Sequence, residues 1–74
     1  MASNNAVHAA VQACVRCLDG ISNPLERLPT TVGTTVPLGK FTRVEVELIT
    51  RLATRQIMAS AIEEAARLDP LVSS

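Results

Sequence analysis

Two groups of side chains have types and spacings that could do chemistry. Cys14-Val15-Arg16-Cys17 is a CxxC, the spacing used for zinc ligation and for thiol exchange. Thr50-Arg51 and Thr54-Arg55 repeat a hydroxyl-guanidinium pair one helical turn apart, a row of donors suited to phosphate or carboxylate oxygens. The CxxC falls within a predicted helix, not at its start, so neither thiol receives the N-terminal dipole that would activate it. Zinc would need two further ligands, and His8 and Asp19 lie at opposite ends of that helix. The cysteines are therefore expected to pack as small hydrophobes, with no metal and no cofactor. His8 has no nucleophile or base beside it and is expected to be solvated. Glu63 and Glu64 are adjacent, so they diverge by about 100° on a helix and cannot share a proton. With no nucleophile elbow, phosphate loop or dinucleotide fingerprint, the chain is expected not to be an enzyme.

The elements that carry these groups can be read from apolar spacing and breaker residues. Val7, Val11, Cys14, Leu18 and Ile21 recur at alternating intervals of four and three, which predicts a helix over about 5–19. Asn4 or Asn5 can cap its start, and Gly20 suits the left-handed position past its end. His8, Gln12, Arg16 and Asp19 fall on the opposite, wet side. Residues 20–41 contain Pro24, Pro29 and Pro37 and read as a Pro/Thr-rich connector with at most one helical turn, over 24–28. The repeated Thr-Thr-Val around Gly33 favours extended backbone, and Leu25, Leu28, Val32 and Leu38 are expected to anchor the connector. Thr42-Arg43-Val44-Glu45 is a capping box, with Phe41 and Val46 placed as its staple. It starts a second helix over about 43–68, which Pro70 should stop, leaving residues 69–74 as a frayed tail. The expected fold is all-α, a helix-loop-helix hairpin in one small domain spanning 1–74.

Length turns this layout into a statement about assembly. A chain of 74 residues hides only about 60% of the surface its unfolded form exposes. A helix over 43–68 would run about 39 Å, whereas a globule of this size has a radius of gyration of about 11 Å. That helix also has two apolar faces. Val44, Leu48, Leu52, Ala59, Ile62 and Ala66 lie on one; Val46, Ile49, Ala53, Ile57 and Ala61 lie nearly opposite. The first helix can cover one face only. The interface with a second copy or another protein is accordingly expected among Val44, Leu48, Leu52, Ile62, Val46, Ile49 and Ile57, assembling a helical dimer or higher oligomer. Burying four large side chains there would contribute about 6–12 kcal/mol before association entropy is subtracted.

Composition narrows the partners. Phe41 is the single aromatic residue, so bases and sugars have no stacking platform. Seven basic residues balance seven acidic ones, which removes any general attraction to nucleic acid or anionic lipid. No segment has the length of apolar sequence that a membrane span requires, and the first residues lack a secretory pattern, so a cytoplasmic or otherwise intracellular chain is expected. The CxxC is similar to that of helical hydroperoxide-defence proteins, in which a His follows one turn later; here that position is Ile21. The length and layout are also similar to small viral proteins that suppress RNA silencing as helical dimers along duplex RNA. The likeness is one of architecture; the residues that such a dimer would align along paired helices are read from this sequence as Arg16, Arg43, Arg51 and Arg55, with Thr50 and Thr54 adding donors. Arg51 has Glu47 one turn back to satisfy it, whereas Arg55 lies within the apolar Val44/Leu48/Ile62 face and would need a carboxylate or phosphate if desolvated. The expected function is a non-enzymatic helical interaction or assembly module, with nucleic-acid binding through the Arg/Thr row as the alternative.

Overall fold

The computed structural model describes residues 4–73, with side chains described through Arg67. It contains three helices: α1 (Asn4–Cys17), α2 (Pro24–Thr35) and α3 (Arg43–Ser73). Each helix packs against the other two. The core is aliphatic, with Val7, Val11, Cys14 and Leu18 from α1 and its exit turn, Leu28, Val32 and Val36 from α2 and its end, and Ile49 and Ala53 from α3. Ala10, Val15, Phe41, Val46, Leu52 and Ile57 close over it.

The α1 stripe is buried as its spacing requires, apart from Ile21, which lies past the helix end and is exposed. The helix closes at Cys17, where the Leu18 amide donates to the carbonyls of Cys14 and Val15, both at 3.2 Å. Gly20 then takes φ 81°, a left-handed conformation that is strained for a residue bearing a Cβ.

The hairpin expectation is corrected by α2, which occupies most of the predicted connector. Pro24 opens it, where a missing N–H costs nothing and a fixed φ favours helix. Pro29 lies inside and deprives the Leu25 carbonyl of its intrahelical donor, but Leu25 is exposed and water can take that carbonyl. Leu28, Val32 and Val36 recur every four residues and are buried, and this packing outweighs the β-favouring tendency of the Thr-Thr-Val repeats. The Thr34 hydroxyl donates to the carbonyls of Thr30 and Thr31, both at 3.1 Å, which keeps a polar side chain satisfied on the helix surface. Leu38, expected as an anchor of the connector, is 73% exposed in the turn that follows. Gly33 needs no special conformation, and a Cβ there would meet nothing within 4 Å. Gly33→Ala is therefore expected to stabilise the fold by about 0.5–1 kcal/mol, whereas Gly20→Ala destabilises it by a similar amount. Urea denaturation of the two variants checks the pair; shifts of the same sign would contradict the backbone assignment.

A capping box starts α3: the Thr42 amide donates to Glu45 Oε1 at 2.9 Å, and the Glu45 amide donates to Thr42 Oγ1 at 3.2 Å. The predicted stop at Leu68 or Asp69 is also corrected, because α3 runs through Pro70 to Ser73. Proline removes the bond to the carbonyl of Ala66, which is exposed to water, and only three more helical residues follow. At 31 residues α3 is about 46 Å long and outruns the other two helices. The radius of gyration is 14.3 Å and the extents are 52 × 21 × 15 Å, well beyond the about 11 Å expected of a globule this size. Among the described residues no helix is long and apolar enough to cross a membrane.

Candidate interaction face

The CxxC divides between interior and surface. Cys14 is fully buried in the core and Cys17 is exposed, as an interval of three residues near a helix end allows. Both are free. Burial pushes the Cys14 thiol above its ordinary value, and the nearby Cys17 adds to the rise. A raised thiol is poorly nucleophilic, and among the described residues no three His, Cys, Asp or Glu side chains gather into a metal set. A soluble thiol reagent is expected to modify Cys17 readily. In a Cys17→Ala chain, Cys14 should react at least about a hundredfold more slowly, because reaction requires opening of the core. Equal rates would contradict its burial. The folded chain holds the Cys14 proton more tightly than the unfolded chain, so this group's contribution to stability declines as pH rises past the ordinary thiol value of 9.0.

The two faces of α3 have different fates. Val46, Ile49, Ala53 and Ile57 point into the chain's own core or cover it. Along the same stripe the next residues are Ser60, Ala61, Glu64 and Arg67, all exposed, so this side of the helix loses its large apolar residues beyond Ile57. Val44, Leu48 and Ile62 on the other side are left outside, 74%, 43% and 67% exposed. Leu52 lies between the faces and is half-buried. The residues expected at an interface are thus divided: Ile49 is enclosed by this chain, Val46 and Ile57 are partly covered by it, and Val44, Leu48 and Ile62 are available.

Arg51 and Arg55 lie on the outward side and are exposed, which removes the need for a desolvated partner inferred for Arg55. They share this stripe with Met58, which is 50% exposed and absent from the sequence-based set. The order Val44, Leu48, Arg51, Arg55, Met58, Ile62 has intervals of four, three, four, three and four, the repeat of a helix-pairing seam. Met58 sits three residues past Arg55 and four before Ile62, so the helical period alone puts it in the stripe. The Thr50 hydroxyl donates to the Val46 carbonyl at 3.0 Å and that of Thr54 to the Thr50 carbonyl at 2.8 Å. Their protons are committed to the helix itself, so the expected Arg/Thr donor row reduces to its arginines. Arg16 sits in the last turn of α1 and Arg43 in the first turn of α3, both exposed and at different places from the central pair.

Beside Met58 the surface dips. A shallow, mostly apolar hollow is lined by Pro24, Leu25, Ile57, Met58 and Ala61, where the start of α2 meets α3. Its neighbour, lined by Ile21, Pro24, Ile57 and Ala61 among others, continues it toward the exit of α1. Both are open to solvent and hold no converging nucleophile, base and oxyanion donor. Comparisons with protein-family models, with characterised proteins and with solved structures yield no match for this chain.

Proposed function

We propose that this protein is a non-enzymatic helical interaction module, acting by offering the outward face of α3 to another protein chain. One observation carries the reading: α3 holds Val44, Leu48, Met58 and Ile62 in a single exposed stripe after its opposite face has filled the core. Large apolar side chains scattered singly on a surface need no explanation, but these four share one helix-pairing stripe, two on either side of Arg51 and Arg55. The opposite polarity of Ser60, Glu64 and Arg67 supports the same view, since from Met58 to Arg67 the large apolar residues, Met58 and Ile62, lie on the seam side. A photo-crosslinking side chain placed at Leu48 in cells of the native host is expected to give a discrete adduct to a protein. The same group at Arg27, exposed on α2, should not. No protein adduct from Leu48 or Ile62 would overturn the proposal.

The alternative reading is binding to a nucleic-acid backbone, favoured by two exposed guanidiniums one turn apart. It expects salt-sensitive affinity for duplex RNA that falls in Arg51→Ala and Arg55→Ala. Unchanged binding in both variants would remove it.

A further inference from the structure

The centre of the seam specifies what kind of chain can lie on it. From Val44 to Ile62 the stripe spans 18 residue steps, about 27 Å of helix, and its middle is Arg51 and Arg55 with apolar residues on either side. A second copy fits this pattern badly. In parallel register, Arg51 and Arg55 would meet their own counterparts. In the antiparallel register that matches Val44 with Ile62 and Leu48 with Met58, Arg51 would meet Arg55 of the other copy. Either way four guanidiniums crowd the centre of the interface, and like charges there disfavour association. Glu47 borders the stripe, but setting it against Arg55 of a copy keeps only Val44 against Met58: Leu48 falls opposite Thr54, Ile62 passes beyond the start of the copy's α3, and Arg51 meets its own counterpart. A nucleic-acid backbone would satisfy the arginines while leaving Val44, Leu48, Met58 and Ile62 against phosphates and water. A helix with carboxylates at two positions one turn apart and apolar residues beyond them satisfies both parts, because guanidinium-carboxylate pairs are planar, bidentate and directional.

We propose that the α3 seam binds an amphipathic helix of a different protein whose own seam is acidic at its centre and apolar at both ends. This deepens the interaction-module reading and rests on it. The apolar ends supply attraction, while the central charges set register and exclude self-pairing.

The probe is a labelled helical peptide of about 20 residues, long enough to cover the seam, with a leucine seam and two central Glu residues one turn apart. A matched peptide carries Lys at those positions. Fluorescence anisotropy with the full chain is expected to show about tenfold or tighter binding of the Glu peptide, the sum of two modest ion pairs, with the difference shrinking in salt. Arg51→Glu combined with Arg55→Glu should reverse the preference; both positions are exposed, and an unchanged circular dichroism spectrum establishes that the variant is folded. Equal binding of the two peptides would overturn the acidic-partner inference but leave the interaction module standing if Leu48 still crosslinks to protein. Failure of both peptides to bind, together with no adduct from Leu48, would overturn both. Sedimentation showing self-association through the seam, or preferential binding of duplex RNA, would also overturn the inference, in favour of a second copy or a phosphate backbone respectively.

Discussion

Ile49→Glu is expected to unfold this protein, whereas Leu48→Glu at the adjacent position leaves it folded. Ile49 is fully enclosed, at 0% exposure, on the α3 face that closes the core. Removing most of such a side chain typically costs about 2–5 kcal/mol, and an unpaired carboxylate in its place adds a desolvation penalty. A chain of this length has about 4–11 kcal/mol of total stability to lose. Leu48 is about 100° further round the helix and meets solvent, so a glutamate there remains hydrated and retains good helix propensity. Urea titration followed by far-ultraviolet circular dichroism checks the contrast. Comparable loss in the two variants would mean that Leu48 is buried in solution, by this chain or by a second copy. A folded Ile49→Glu protein would mean that α3 packs with the other face.

The same pair of residues shows what could be read from sequence. The two apolar faces of α3, the capping box at Thr42 and Glu45, the α1 stripe and the left-handed glycine at position 20 follow from short-range spacing and local hydrogen bonding, and each has its counterpart in the structure. Which face of α3 turns inward did not follow, because both faces offer apolar residues of similar size and the choice depends on where the other helices lie. The helix α2 was missed for a related reason. Pro29, Gly33 and the threonines all weigh against a helix locally, while Leu28, Val32 and Val36 favour it only through the core they enter. At the candidate site, Arg51 and Arg55 were visible as a repeated pair, but the internal bonds of the Thr50 and Thr54 hydroxyls depend on side-chain orientation. Met58 lies three residues past Arg55 on the same side, so its place in the stripe follows from the helical period alone.

The far half of α3 should be the least protected part of the described structure, and its protection should depend on a partner. From Met58 to Arg67 every residue is exposed, so this stretch gains helical order from propensity and local pairs and very little from packing. The alanines and the Glu63 to Arg67 spacing favour helix, yet an unsupported segment of this length is marginal in water. Backbone amides over 60–67 should therefore exchange with solvent at least about a thousandfold faster than those of Ile49 and Ala53, which are released only by opening of the core. Ala61→Pro should abolish helix locally, at about 3 kcal/mol, yet lower the urea midpoint only modestly, because the carbonyl it strikes belongs to Ile57, which covers the edge of the core, and the nine buried core residues lie outside that turn. The same variant should lose affinity for a partner helix, since the seam ends at Ile62 and its last turns would no longer be presented. Hydrogen exchange with and without the acidic peptide separates the two effects: slowed exchange across 60–67 on binding is the expected outcome, and it should be missing in Ala61→Pro. Strong protection of these amides in the free protein would show that the far half is already covered, which would point to self-association and away from an outside partner.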